Sequence, residues 1–74
     1  MDNITYANAR NIRKEKKMSL KELSERSGLS MAYLSNFENG KVNITVASLY
    51  QIAKALGVSV KALLATEEDK NILV

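Results

Sequence analysis

The chain has 74 residues, of which 46% are hydrophobic, and it carries a net charge of +3. Such a length suits one small domain, and this hydrophobic fraction argues against an intrinsically disordered chain. The sequence contains neither cysteine nor histidine, which excludes disulfides, thiolate metal sites and the commonest general base. We therefore expect no metal or other cofactor and no enzymatic activity, because the remaining serines, lysines and carboxylates form no nucleophile–base pattern.

The basic charge is concentrated in the body of the chain. Residues 1–65 carry ten basic and five acidic side chains, whereas residues 66–74 carry one basic and three acidic ones. Five of the basic side chains lie within residues 10–17. A basic body favours a polyanionic partner, although the run at 10–17 is also compatible with an ordinary solvated helix face.

No part of the sequence is typical of a targeting or membrane segment. No apolar run approaches the roughly 18 residues of a membrane span. Residues 1–20 also lack the apolar core of a signal peptide. We therefore expect a cytoplasmic protein that does not associate with membranes.

Apolar spacing and capping residues predict a first helix over residues 6–17. Its N-cap would be Thr5 or Asn3, since short polar side chains accept a hydrogen bond from the first helical turn. The apolar residues predicted to face inward are Tyr6, Ala9 and Ile12.

A capping box predicts a second helix over residues 20–27. Ser19 is a good N-cap, and Glu22 three residues later completes the box. Gly28 can enter the left-handed conformation that ends a helix without steric cost. Ser24 lies where this helix should cross the next one, and its hydroxyl is expected to bond to the carbonyl four residues earlier.

Ser30 can cap a third helix, predicted over residues 31–38, and Asn39-Gly40 ends it. Two helices joined by a glycine turn of about three to four residues are typical of a helix-turn-helix. The second helix of that motif enters the major groove of DNA. The apolar side chains expected in the core of this unit are Leu23, Leu29, Leu34 and Phe37.

Two further helices complete the predicted fold. Thr45 can cap a fourth helix over residues 46–56, and Ser59 can cap a short fifth helix over residues 60–65. Gly57 lies between them as a helix-ending residue. In the fourth helix, the apolar residues with helical spacing are Val46, Leu49, Tyr50, Ala53 and Leu56. We predict an all-α fold, with one compact five-helix domain at residues 1–65 and a short C-terminal tail at 66–74.

Several short motifs follow one another along the chain: Ile12-Arg13, Met18-Ser19-Leu-Lys-Glu-Leu23, Ser27-Gly-Leu-Ser30, Tyr33-Leu-Ser, Phe37-Glu-Asn-Gly40, Leu49, Ile52-Ala53 and Ala55-Leu-Gly-Val-Ser59. In the order and spacing of these motifs, residues 8–65 resemble the Cro/repressor-like, or XRE-type, helix-turn-helix transcription regulators. Residues 39–49 and the short length resemble the small dimeric controller proteins of restriction–modification systems. The resemblance implies a bacterial or phage repressor or controller that binds a pseudo-palindromic DNA operator as a homodimer.

The resemblance implies DNA base contacts from the exposed side of the third helix. The matching residues are Met31, Ala32, Tyr33 and Asn36. Asn36 can make a bidentate contact with adenine, and Met31 and Ala32 can pack on thymine methyls. The third helix has no arginine to contact guanine, unlike many relatives, so DNA shape is expected to contribute to specificity. The alternative is that Met31 and Tyr33 are satellite core residues and Asn36 is an inert surface residue.

Phosphate contacts are expected around the same helix. The N-terminus of the second helix offers Ser19, the backbone amides of Leu20 and Lys21, and the Lys21 ammonium. Leu20 replaces a glutamine that binds phosphate in many relatives. The other residues whose counterparts lie near phosphates are Ser30, Ser35, Asn39, Lys41 and Asn43.

The resemblance also implies one structural ion pair and one dimer surface. The ion pair would join Arg13 to Glu38 and fix the third helix. The dimer surface would comprise Val58, Val60, Leu63 and Leu64, with Ile72–Val74 as further candidates. Some of these side chains must also fill the core of the monomer. The acidic and apolar tail supports an alternative function, an antitoxin-like module that binds a protein partner and autoregulates through its helix-turn-helix.

Overall fold

The computed structural model describes the backbone of residues 3–64 and the side chains of residues 5–64. Five α-helices follow one another: α1 (Asn3–Glu15), α2 (Leu20–Ser27), α3 (Met31–Glu38), α4 (Val46–Leu56) and α5 (Val60–Leu64). The predicted all-α, five-helix fold is confirmed, with no strand among these residues. The predictions for residue 65, for the tail at 66–74 and for Ile72–Val74 lie outside the described residues.

The first helix differs from its prediction at both ends. It begins three residues earlier than predicted, so Thr5 is a buried residue inside the helix rather than an N-cap. It also ends two residues earlier. Lys17 adopts a left-handed conformation with φ of 55°, and the Met18 amide donates to the Arg13 carbonyl at 3.0 Å. Such a bond at a helix end usually accompanies a glycine in the left-handed conformation. Because the residue here is a lysine, the sequence does not indicate that the helix ends at this point.

The predicted caps explain the limits of the other helices. The hydroxyls of Ser19, Ser30 and Thr45 accept the backbone N–H three residues later at 3.0, 3.0 and 3.1 Å. Gly28 and Gly57 follow α2 and α4 in the left-handed conformation. Because both ends of α2 and α4 carry these local signals, their observed bounds equal the predicted ones.

The core lies where α1 packs against α3, α4 and α5, while α2 packs against α3 and α4. The large side chains that are fully buried include Leu23, Leu34, Ile52, Leu56 and Leu63. Burial is therefore confirmed for Leu23 and Leu34, and Leu29 is partly buried against the same core. No helix within residues 3–64 is long and apolar enough to cross a membrane.

The apolar spacing in α4 predicts a wider buried face than the structure has. Val46 is 68% exposed and Tyr50 is 61% exposed, although both follow the spacing of the buried residues Leu49 and Ala53. At about 100° per residue, Val46 and Tyr50 lie toward the solvent edge of the apolar face, away from its centre. They form an apolar stripe on the outside of the domain.

Candidate nucleic-acid interface

The turn between α2 and α3 is held by a group of short hydrogen bonds. The Gly28 amide donates to the Ser24 carbonyl at 2.9 Å, and the Leu29 amide donates to the Ser27 hydroxyl at 3.2 Å. The Ser24 hydroxyl donates to the Leu29 carbonyl at 2.6 Å. The prediction that this hydroxyl bonds back within α2 is wrong, because the turn brings the Leu29 carbonyl within its reach. Ser24 therefore ties α2 to the turn that precedes α3.

An ion pair fixes the other end of α3 to α1. Arg13 donates from Nε to Glu38 Oε2 and from Nη2 to Oε1, both at 2.8 Å, and from Nη1 to the Met18 carbonyl at 2.8 Å. The two side chains are only 12% and 6% exposed. The hydrogen bond to Glu38 raises the pKa of the Arg13 guanidinium above its ordinary value, against the opposing effect of burial. A bidentate pair of this kind fixes orientation as well as distance.

Between these two anchors, α3 presents a mixed face to solvent. Met31, Ala32 and Asn36 are exposed, whereas Tyr33 is partly buried and packs against the core. The structure thus brings the four residues predicted to contact bases onto one helix. Part of the Tyr33 side chain contacts the core. This agrees in part with the alternative prediction that Tyr33 is a satellite core residue.

The N-termini of α2 and α3 supply further polar groups. Ser19, Lys21 and Ser30 are all exposed. The Ser19 and Ser30 hydroxyls accept backbone N–H groups, and a hydroxyl that accepts one hydrogen bond can still donate its own hydrogen. A helix N-terminus also carries a partial positive charge. Each of these helix ends is therefore compatible with an anionic group of a ligand.

The segment after α3 carries the remaining predicted phosphate contacts. Lys41 and Asn43 are exposed, while Ser35 is partly buried within α3. The Asn39 side-chain amide donates to the Ser35 carbonyl at 2.9 Å. The Lys41 backbone amide donates to the Asn36 carbonyl at 2.8 Å. These bonds hold the start of the α3–α4 connection against the end of α3.

Tyr6 is a positioning residue that the sequence did not reveal. A Cβ added at Gly40 would lie only 2.8 Å from the Tyr6 Cε1 atom. Gly40 also has a φ of 71°, a conformation that favours glycine. The close approach of Tyr6 from α1 therefore supports the segment that carries Lys41.

The predicted dimer surface is accessible only in part. Leu63 is fully buried in the monomer core, and the Asn8 side-chain amide donates to its carbonyl at 2.9 Å. This burial removes Leu63 from the predicted dimer surface. Val58 and Val60 are partly buried against the core, whereas Leu64 is exposed. Within the described residues, no three acidic side chains lie close enough together to hold a metal ion.

The fold agrees with a comparison of the chain with known protein families. The helix-turn-helix family model matches residues 10–63. The chain belongs to this family, of the XRE or Cro/repressor-like type, whose members include transcriptional regulators and restriction–modification controllers. The predicted family resemblance is confirmed.

Individual relatives agree with this assignment. The uncharacterised HTH-type transcriptional regulator y4dJ of Sinorhizobium fredii is 44% identical over 59 residues, which cover 80% of the chain and 77% of y4dJ. Control protein C.SmaI of Serratia marcescens is 38% identical over 68 residues, covering 92% of the chain and 81% of C.SmaI. The crystal structure of SinR in complex with DNA shares 37% identity and a TM-score of 0.75, covering 82% of this chain and 98% of that one. The chain spans 52% of the length of Bacillus subtilis SinR.

Proposed function

We propose that this protein is a sequence-specific DNA-binding transcriptional regulator with α3 as its recognition helix. The observation that carries the proposal is the exposed face of α3, which is anchored at one end by Ser24 and at the other by the Arg13–Glu38 pair. A helix of eight residues that buries one face in a basic domain and leaves the other exposed suits the major groove. The similarity to SinR, whose structure was solved in complex with DNA, supports DNA as the partner. We propose binding, and not catalysis, as the activity.

The proposed base contacts come from the exposed face of α3. Asn36 would accept from and donate to adenine through its side-chain amide. Met31 and Ala32 would pack against thymine methyls. Tyr33, partly held by the core, would contribute its exposed edge or its hydroxyl. This set favours A·T base pairs, and it leaves part of the specificity to the shape and deformability of the DNA.

The proposed phosphate contacts surround that face. At the N-terminal side of the helix pair, Ser19, Lys21 and Ser30 would hold one stretch of backbone through hydroxyls, amides and one ammonium. The residues proposed to hold the phosphates on the other side of α3 are Ser35, Asn39, Lys41 and Asn43. Contacts of this kind set the register of the protein on the duplex but carry little sequence information.

We further propose that the protein acts as a homodimer in the cytoplasm. A two-fold dimer would place two copies of α3 about 34 Å apart, one turn of the DNA helix, on a pseudo-palindromic operator. The accessible part of the predicted dimer surface is Leu64 with the partly buried Val58 and Val60. In this arrangement residues 1–65 form the DNA-binding domain, and residues 66–74 form a tail outside it.

Selection of bound sequences from random duplex DNA tests the proposal directly. We expect two A·T-rich half-sites related by two-fold symmetry and centred about one helical turn apart. If no sequence preference is recovered, the proposal that binding is sequence-specific is wrong. If a single unpaired half-site is recovered, the proposal that the protein binds as a dimer is wrong.

Two alanine substitutions then separate base contacts from phosphate contacts. Asn36→Ala should relax the preference at one or two operator positions, at a cost of about 1–3 kcal/mol in binding. Lys41→Ala should weaken binding to all sequences alike. Lys61→Ala on α5 is the matched control, because it removes an exposed lysine away from α3. An unchanged operator profile for the Asn36 variant would show that this residue does not contact bases.

A further inference from the structure

A shallow depression lies between α2 and α4, and none of the residues that line it belongs to α3. It has a volume of about 450 Å³ and is lined by Arg26, Ser27, Gln51, Lys54 and Ala55. The lining contains two cations and no carboxylate. Arg26 is paired with Glu22 at 2.9 Å, whereas Lys54 has no ion-pair partner among the described residues. The depression therefore favours an anionic group, and the proposed DNA contacts do not account for it.

The outer apolar stripe of α4 lies on the same side of the helix as Lys54, which lines this depression. Val46, Tyr50 and Lys54 are spaced four residues apart and so follow one side of the helix. Val46 and Tyr50 are the two most exposed large apolar residues in the described part of the chain. At about 1.5 Å per residue, Val46 and Lys54 are about 12 Å apart along the helix axis. The outer surface of α4 is thus apolar at its start and cationic near its end.

The sequence contains one segment with the complementary pattern. Glu67, Glu68 and Asp69 are consecutive acidic residues, and Ile72-Leu73-Val74 follows them as an apolar triplet. These residues lie outside the described part of the chain. An extended chain of about 3.4 Å per residue spans about 17 Å from Glu68 to Leu73, which exceeds the 12 Å from Lys54 to Val46. The same arithmetic gives a reach of about 27 Å from Leu64 to Ile72.

We propose that the outer face of α4 binds the chain's own segment 67–74, with its acidic residues at the depression and its apolar residues along the Val46–Tyr50 stripe. Exposed ion pairs contribute little by themselves, so the apolar contacts carry most of the attraction and the charges set the direction. Because the segment is tethered to α5, its effective concentration at α4 is high, and weak contacts suffice. The face is then covered within one molecule.

A spin label on the tail tests this placement. The chain has no cysteine, so Asn71→Cys in the full-length protein provides a unique attachment site for a nitroxide. In a ¹⁵N-labelled sample, we expect the amide signals of Tyr50 and Lys54 to lose intensity, while those of Met31 and Ala32 on α3 keep theirs. Uniform loss, no loss, or loss centred on α3 would overturn the proposal.

Two variants and one mixing experiment complete the test. Ile72→Ser should abolish the loss of intensity on α4, and Lys54→Gln should reduce it. Lys16→Gln, which removes an exposed lysine just after α1, should leave the loss of intensity on α4 unchanged. Equal effects of the two lysine variants would count against a defined site at Lys54. If ¹⁵N-labelled protein without a nitroxide loses α4 signal on mixing with unlabelled, spin-labelled protein, the segment binds another copy, and the intramolecular assignment is wrong.

Discussion

Arg13→Met tests whether the ion pair with Glu38 holds the helix-turn-helix on the domain. The substitution keeps the aliphatic stem but removes three hydrogen bonds of 2.8 Å and leaves the Glu38 carboxylate buried without its cation. Breaking a buried pair in this way costs about 3–5 kcal/mol. A chain of this length has a total stability of about 4–11 kcal/mol at about 0.05–0.15 kcal/mol per residue. The variant should therefore lose a large fraction of its free energy of unfolding.

Urea denaturation of a double-mutant cycle measures this contribution. Arg13→Met, Glu38→Gln and the double variant should be compared with the unchanged protein. The double variant should be more stable than the sum of the single effects predicts, by about 1–3 kcal/mol, because it leaves no unpaired charge. Glu22→Gln is the matched control, since Glu22 pairs with Arg26 at the surface, where such a pair contributes about 0–1 kcal/mol. Additive single effects, or an equal loss in Glu22→Gln, would refute the buried-pair explanation.

The geometry also predicts how Arg13 contributes to the pH dependence of stability. The pKa of Arg13 is raised in the folded protein, chiefly by its hydrogen bond to Glu38. A raised pKa contributes stability that is fully present below the unfolded-state pKa and is lost only as the pH rises through the folded-state value. Both values lie far above neutrality. In urea denaturation, the Arg13 guanidinium should therefore add no pH dependence to the stability of the unchanged protein from neutral to mildly alkaline pH.

Three further predictions concern the core, the turns and the proposed interface. Leu34→Ala should cost about 2–5 kcal/mol in chemical denaturation, because Leu34 is fully buried; a loss below about 1 kcal/mol would contradict the packing of α3. Gly28→Ala should cost about 1–2 kcal/mol from its left-handed backbone alone, whereas Gly40→Ala should cost about 1–3 kcal/mol more, because its Cβ would overlap Tyr6. If about five phosphates are neutralised per subunit, and so about ten by the dimer, operator affinity should fall about 10⁵-fold between about 50 and 200 mM salt, and salt-insensitive binding would exclude a backbone-dominated interface.

The sequence predicted most where short-range chemistry decides the structure. Ser19, Ser30 and Thr45 act as caps because their hydroxyls reach amides only three residues away. Gly28 and Gly57 end their helices because glycine enters the left-handed region without strain. These signals depend on a few neighbouring residues. They are consequently visible in the sequence, and they place α2, α3 and α4 correctly.

The errors arose where a distant contact or a non-glycine turn decides the structure. Lys17 ends α1 in a conformation that lysine seldom adopts, so no residue type marked the helix end. Ser24 bonds to the Leu29 carbonyl because the turn folds back toward α2, a contact that helix periodicity cannot represent. Tyr6 approaches Gly40 from a different helix. The approach of Tyr6 to Gly40 depends on how α1 packs against α3, and the residue pattern within either helix does not predict that packing.

The arrangement separates the residues that position α3 from those on its exposed face. Before α3, the Ser24 hydroxyl of α2 donates to the Leu29 carbonyl. At the end of α3, Glu38 accepts a hydrogen bond from Arg13. Ala32 and Asn36 lie exposed between these anchors. Since an exposed side chain contributes little to stability, substitutions at these positions should keep the fold, and under the proposed function they would change the operator preference. A change at either anchor instead moves the whole helix, and under the proposed function it would weaken binding to every DNA sequence alike.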